Sequence, residues 1–350
     1  MVNTFTDILM PKVTVLLPVY NGEKYLKETV DSILLQSYAN FEFLIIDDGS
    51  TDESIRIIES FKDKRIRVLK NSKRIKLAGA LNRGLKEASS PYIARMDADD
   101  IALADRLQKQ VAFMDGHPEI GVCGSAIEIF GEKEHKRIEK YPSDAEEIKA
   151  YALFDCPFCH PATILRRDMV LGNELFYDGS YYPTEDYELW TRAIDCFPTA
   201  NLSDVLLKYR VHGASMTGSD WDMMDKQAAR IIAKLFDRLN ICYGQSDLEM
   251  HRNIGRGRSV RLSDIQSLER AESWLQRLLA ENQKRRNMNI PSLEKVVSLV
   301  WFRLCMNNTV HGLEVVTRYG RSNLLRKDRL GIKRLAVVLL SCLKNQLVNV

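Results

Sequence analysis

Val13-Thr14-Val15-Leu16-Leu17-Pro18-Val19 is a nearly unbroken apolar run rich in β-branched residues. A strand with one face in water alternates apolar and polar positions, whereas a strand covered on both faces does not, and parallel sheets are built from the second kind. Residues 41–46 repeat the pattern, and residues 66–69, 92–96 and 121–129 read as further short strands. Between the first two, Leu26, Val30, Ile33 and Leu34 fall at i, i+4, i+7 and i+8, one face of a helix. Ser50 with Glu53 has the spacing of a capping box for the next helix. Strands alternating with helices predict an α/β domain with a parallel sheet, whose ligands bind beyond the carboxyl ends of the strands.

Two carboxylate clusters fall at such ends. Asp47-Asp48-Gly49-Ser50 follows the second run, and Asp97-Ala98-Asp99-Asp100 follows residues 92–96. Like charges packed this closely repel unless a cation neutralises them, and hard oxygen ligands on a loop suit Mg²⁺ or Mn²⁺, particularly with a diphosphate completing the shell. The pattern predicts a site for a metal-bound nucleotide.

At 350 residues and 45% hydrophobic content the chain can bury a sizeable core, as one large domain or two. Residues 1–12 lack a charged segment leading into a long apolar one, so no secretory signal is expected there. The apolar stretch 335–343 is about half of what a bilayer-spanning helix needs. Seven cysteines without framework spacing fit a reducing cytoplasm. Net charge is +3, yet residues 251–350 hold 19 Lys and Arg against 7 Asp and Glu, or +12, which leaves −9 for residues 1–250. With no internal repeat, the organisation expected is a catalytic domain over 1–217 and a basic, mainly helical region over 218–350. The break is placed near Gly218-Ser219-Asp220, where strand-like patterning gives way to helical patterning.

Three ordered segments carry a resemblance: Val15-Leu16-Leu17-Pro18-Val19-Tyr20-Asn21-Gly22, Ile45-Ile46-Asp47-Asp48-Gly49-Ser50-Thr51-Asp52 and Tyr92-Ile93-Ala94-Arg95-Met96-Asp97-Ala98-Asp99-Asp100. Together with His160-Pro161, Glu185-Asp186 and Tyr209-Arg210-Val211-His212 they resemble, over roughly residues 11–217, the family 2 glycosyltransferases. The resemblance implies a GT-A fold, with a Rossmann-like, mostly parallel central sheet flanked by helices. It further implies inverting, metal-dependent transfer of a hexose from a UDP-sugar to a glycan hydroxyl.

By that resemblance Asp99 ligates Mn²⁺ or Mg²⁺, and Asp97 meets the ribose or shares the ion. Asp48 binds the uracil imide, flanked by Pro18, Tyr20 and Glu23. Asp100 has the alternative role of capping the helix ahead of Asp105-Arg106-Leu107. A neutral imidazole is an acceptable Mn²⁺ ligand, so His212, in its Tyr-Arg-x-His setting, is a second ligand candidate, against a plain hydrogen-bonded loop histidine. The family pattern assigns the general base to Asp186; stabilising a helix N-terminus is its bland alternative. Trp190, at helical spacing beside Leu189 and Ile194, reads as core more than as a sugar shelf. Arg83 and Lys76 could approach the diphosphate or line a solvated helix face.

Cys156-Pro157-Phe158-Cys159-His160 also matches haem-attachment and redox spacings, but no export signal or second ligand pair supports either. Two other readings of the front stay open. A sugar nucleotidyltransferase would show a Gly-rich basic loop after the first strand, where this chain has Tyr20-Asn21-Gly22-Glu23-Lys24-Tyr25. A non-catalytic nucleotide- or nucleic-acid-binding protein would use the basic back, which carries no recognised module, so no nucleic acid is expected. The charge layout resembles bacterial enzymes that build O-antigen, capsule or lipooligosaccharide on a lipid carrier. From about Pro291 onward, the apolar helix 292–304 and the stretch 324–340 are therefore expected to dock on the anionic cytoplasmic membrane face, or else to pack on the rest of the protein or on a second copy.

Overall fold

The computed structural model describes residues 10–131, 136–213, 221–255, 262, 264–325 and 329–348. Two compact units emerge, Met1–Ala145 with Phe158–Met223 and Glu146–Pro157 with Met224–Val350. The expected break at Gly218-Ser219-Asp220 lies outside the described residues.

In the first unit β1 (Val13–Val19) is buried at every position, which accounts for its unbroken apolar run. It lies between β2 (Phe41–Asp47) and β4 (Tyr92–Arg95), parallel to both, and β3 (Ile66–Lys70) extends β2 on the far side. Helix α1 (Leu26–Leu34) turns Leu26, Val30 and Ile33 inward as the periodicity predicts. Helix α2 spans Ser54–Ser60, and α3 (Lys76–Glu87) presses on β1 so closely that a Cβ on Gly84 would lie 2.2 Å from Leu16 Cδ1.

The capping-box expectation is corrected. Helix α2 starts after Glu53, and Ser50 is not its cap. Ser50 Oγ accepts from Asn21 N instead (3.0 Å), while the Ser50 N–H is taken by Asp47 Oδ1 (3.1 Å) across a turn in which Gly49 has φ +79°. The cluster is turned into the loop that follows β1, and the helix begins only after that loop closes.

Strand order β3-β2-β1-β4 means the chain leaves β1 in one direction and returns for β4 on its other side, so a crevice opens beyond their carboxyl ends. The second half of the sheet departs from the expected parallel pattern. After β5 (Ile101–Ala102) and α4 (Arg106–Gly116), β6 (Val122–Gly131) pairs antiparallel with β7 (Arg137–Glu139). Strand β8 (Ile164–Arg166) runs antiparallel to both β4 and β6, and β9 (Thr199–Val211) runs parallel to β6 but antiparallel to β5. The sheet is mixed, ordered β3-β2-β1-β4-β8-β6-β9-β5, with β7 beside β6. Pairing of Ile101 with Lys208 is what delivers the end of β9 to the loop after β4.

The second unit is helical. It holds α5 (Ala145–Tyr151, from Glu146 on), α8 (Trp221–Arg238, from Met224 on), α9 (Gln245–Gly255), α10 (Ile265–Arg285), α11 (Ile290–Asn307), α12 (Leu313–Arg321) and α13 (Arg329–Val348), while α6 (Arg167–Gly172) and α7 (Glu185–Cys196) belong to the first. Asp264 caps α10 by accepting from Ser267 N (2.6 Å), and Asn289 caps α11 by accepting from Ser292 N (3.0 Å), with Pro291 in the first turn where a missing N–H costs nothing. Residues 146–157 join this unit through side chains. His251 Nε2 donates to Leu153 O (2.7 Å), Trp274 Nε1 donates to His251 Nδ1 (2.9 Å), and Lys295 pairs with Glu147.

Membrane docking by residues 292–304 is not what the packing of α11 supports. Leu293, Val296, Val297, Trp301 and Leu304 are at most 3% exposed, so its apolar face is core.

Candidate active site

The loops at the carboxyl ends of β1 and β2 are laced together. Asp48 N donates to Val19 O (2.8 Å), Thr51 N to Asn21 Oδ1 (2.8 Å), Glu23 N to Asp52 Oδ2 (3.0 Å) and Glu53 N to Glu23 Oε2 (2.9 Å). One oxygen of Glu23 is therefore engaged by the neighbouring loop. Asp48 is buried, and its Oδ1 accepts from Asn71 Nδ2 (2.7 Å) and Ile75 N (2.8 Å). Arg83 bonds Asn71 Oδ1 and Lys70 O, so it supports Asp48 at one remove, while Lys76 is exposed at the start of α3. Pro18 is buried in β1 opposite Ile46. Tyr20 is 40% exposed, and the Arg74 guanidinium lies over its ring at 3.8 Å.

Asp97, Asp99 and Asp100 bring one carboxylate oxygen each to within 4.8 Å of one another. Asp97 is ion-paired with Arg95, whose side chain is 2% exposed at the end of β4. Burial works against that guanidinium's charge, but Asp97 beside it raises its pKa above the ordinary value. Asp99 Oδ2 lies 2.9 Å from His212 Nε2. Arg210 ties β9 to the loop, donating from its backbone N to Asp100 Oδ1 (2.8 Å) and from Nε to Asp99 O (2.7 Å). Asp100 is not a helix cap, since α4 begins after Asp105; it is buried with Oδ2 lacking a hydrogen-bond partner. Burial, then Asp97, raises the pKa of Asp99, against the pull of His212. Burial, then Asp97 and Asp99, pushes Asp100 well above the carboxylate range. Three crowded carboxylates with an orphaned buried oxygen fit a divalent cation with oxygen ligands.

A second acidic pair opens α7. Glu185 is 2% exposed, and its Oε2 has no hydrogen-bond partner; burial and then the Asp186 charge push it up to about 7. Asp186 is half-buried, with Oδ1 accepting from Tyr187 N (2.8 Å). Burial raises its pKa, backbone N–H groups and Arg95 oppose this, and Asp97 adds to it, so the two acidic groups sense one another. His160 Nε2 meets the Tyr177 hydroxyl at 2.8 Å, both buried, and the charges of Arg95, Asp186, Glu185 and Asp97 all reach Tyr177. Trp190 is 1% exposed, edge-on to Phe158 and His160, so it is core. Cys156 and Cys159 are in no disulfide and His160 is engaged by Tyr177, so among the described residues the Cys-x-x-Cys-His segment builds no ligand set.

The chain matches Glycosyl transferase family 2 over residues 14–173. A Haemophilus influenzae uncharacterized glycosyltransferase is 32% identical over 282 residues, which cover 77% of this chain and 85% of that one. The chain belongs to glycosyl transferase family 2. A second relative, the amylovoran biosynthesis glycosyltransferase AmsE of Erwinia amylovora, is 33% identical across 56% of this chain and 75% of its own length. Among solved structures, S. aureus TarS 1–349 in complex with UDP-GlcNAc shares the fold at a TM-score of 0.56, with 19% identity over 95% of this chain and 92% of that one. Mannosyltransferase PcManGT from Pyrobaculum calidifontis, in complex with GDP-Man and Mn²⁺, does so at 0.51, with 16% identity over 97% and 88%. Membership makes this chain a glycosyltransferase and sets aside the nucleotidyltransferase and non-catalytic readings.

Sequence patterns missed four residues of the candidate site. Arg95 stood inside the third signature as a cation at the end of a buried strand, which was a legible signal. Asn71, Arg74 and Tyr177 had none, because their partners Asp48, Tyr20 and His160 are brought to them by the fold.

Proposed function

We propose that this glycosyltransferase is inverting and metal-dependent, and that it moves a hexose from a UDP-sugar to a hydroxyl of a lipid-linked bacterial surface saccharide at the cytoplasmic membrane face. The observation that carries this reading is the crowding of the Asp97, Asp99 and Asp100 carboxylates within 4.8 Å of one another with His212 on Asp99, beside Asp48 and the Tyr20–Arg74 stack at the neighbouring strand ends. A nucleotide then has a base site at Asp48, a diphosphate site at the carboxylates, and an acidic group on the reacting side.

Asp48 Oδ1 is occupied by Asn71 and Ile75, and no described residue bonds Oδ2, which is left for the uracil imide N–H. Pro18 closes the pocket with backbone, Tyr20 adds a face against which a base can stack, and Glu23 holds the loop. Asp99 and His212 are the proposed metal ligands, with Asp97 sharing the ion or meeting the ribose. A bound Mn²⁺ or Mg²⁺ supplies positive charge to the departing diphosphate. Asp186 takes the proton of the acceptor hydroxyl as its oxygen bonds to the anomeric carbon; the bond from that carbon to the diphosphate oxygen breaks on the opposite face, and the nucleoside diphosphate leaves. Burial raises Asp186 basicity, which offsets the lowering expected at a helix N-terminus. AmsE, by its name an amylovoran biosynthesis enzyme, supports a polysaccharide acceptor.

Thermal unfolding with UDP or GDP, each with and without Mn²⁺, tests the reading, followed by hydrolysis of a panel of UDP- and GDP-hexoses. UDP should raise Tm only when Mn²⁺ is present. Stabilisation by GDP and not UDP would overturn the donor assignment, and stabilisation by UDP alone the metal one.

A further inference from the structure

Helix α13 (Arg329–Val348) carries apolar residues on two sides, about a third of a turn apart. Val338 and Cys342 are fully buried on the side that packs against α12 and residues 309–311. The other side carries Ile332, Ala336, Leu339, Leu340 and Leu343, spaced i, i+4, i+7, i+8 and i+11, which makes one stripe. All five are exposed, Ile332 at 69% and Leu340 at 66%. Lys333 and Lys344, also exposed, stand eleven residues apart along one edge of this stripe. None of the helices among the described residues is long and apolar enough to cross a membrane.

Exposing leucine and isoleucine in a row has a hydrophobic cost in water, so a contiguous stripe marks a surface that meets something apolar. What it meets is indicated by charge. A lysine-edged apolar stripe matches an anionic bilayer interface, with the stripe in the acyl boundary and the ammonium groups at the phosphates. Residues 251–350, which hold this helix, have a net charge of +12.

We infer that α13 is an in-plane membrane anchor whose Ile332-Ala336-Leu339-Leu340-Leu343 stripe binds anionic phospholipid, while α11 has no part in docking. This assigns the lipid contact to one helix face, and it stands whether or not the donor and metal assignments above are right.

The test is co-sedimentation of the full-length protein with phosphatidylglycerol vesicles and with phosphatidylcholine vesicles, at low and high salt, for the wild type and the double variant Ile332→Asp/Leu340→Asp. Both side chains are exposed, so Tm and donor hydrolysis should not change. The wild type should partition onto phosphatidylglycerol at least tenfold more than the variant does, and less at high salt. Lys333→Glu/Lys344→Glu, which leaves the apolar stripe intact, should weaken binding at low salt and settles the question should the first variant fail to fold. A wild type that stays in the supernatant with phosphatidylglycerol at low salt overturns the inference. So does a wild-type dimer in sedimentation velocity that Ile332→Asp/Leu340→Asp dissolves, because the stripe would then meet a second copy of the chain.

Discussion

Asp99 Oδ2 and His212 Nε2 lie 2.9 Å apart although 113 residues separate them in sequence. The contact exists because β9 pairs with β5, immediately after the carboxylate loop, and because Arg210 is bonded to both Asp99 and Asp100. It gives the first prediction a geometric basis: two potential ligands of one ion already share a hydrogen bond. Asp99→Ala should lower turnover by about 10²-fold or more and abolish Mn²⁺-dependent UDP binding, with the fold intact because Asp99 is on a half-exposed loop. His212→Ala should weaken the metal dependence in the same direction. Titration calorimetry of UDP with and without Mn²⁺ checks both, and near-normal turnover of Asp99→Ala would remove it from the metal site.

Asp186→Asn keeps the shape of the side chain but cannot take the acceptor proton. Its kcat should fall by about 10²–10⁴-fold with donor affinity nearly unchanged, as expected for loss of a general base. Steady-state kinetics with UDP binding measured separately makes the comparison. A matching loss of donor affinity would mean that Asp186 holds the donor instead.

Glu185 makes stability depend on pH. Its pKa is pushed from the usual 4.5 up to about 7 by burial, so the folded state resists its ionisation. Below pH 4.5 the group is protonated in both states and costs nothing; as pH rises through 4.5 to 7 the unfolded chain ionises first and stability falls, by about 3 kcal/mol in full. Glu185→Gln removes the titration. Urea unfolding should find the variant more stable than wild type at pH 8 and equal to it near pH 4.5; equal stability at both would refute the buried, orphaned carboxyl.

His251 behaves with the opposite sign. Burial holds its pKa down to about 4, with the Leu153 hydrogen bond opposing. Its neutral form therefore contributes stability that is complete above about pH 6.5 and is lost as pH falls towards 4. The ring-proton NMR resonances of His251 should stay constant from pH 8 to 5. Trp274→Phe, which strips Nδ1 of its donor, should destabilise by about 1–3 kcal/mol. A His251 resonance that titrates near pH 6.5 would contradict the buried network.

Much of the site was readable because its parts are local. A strand covered on both faces, β1, must be apolar throughout, and a carboxylate cluster at such a strand's end needs no distant partner to be noticed. The capping-box reading of Ser50 and Glu53 went astray for a reason of the same scale. Spacing records that a Ser could cap a helix, but Asn21 and Asp47 compete for it only once β1 and β2 lie side by side.

The sequence alone determined the α/β class, the helix faces of α1 and α11 and the carboxylate loops at the strand ends, since each rests on patterning within a few tens of residues, and its ordered motifs from residue 15 to 212 carried the resemblance to the family. Only the tertiary structure decided that the sheet is mixed beyond β4, that residues 146–157 pack with the C-terminal helices, that Arg95 pairs with Asp97, and that His212 reaches Asp99. It also sorted the two apolar helices of the basic region, burying Leu293 and Trp301 while leaving Ile332 and Leu340 exposed. Periodicity states that a helix has an apolar face; what covers that face depends on where the rest of the chain has gone, and that information is not local.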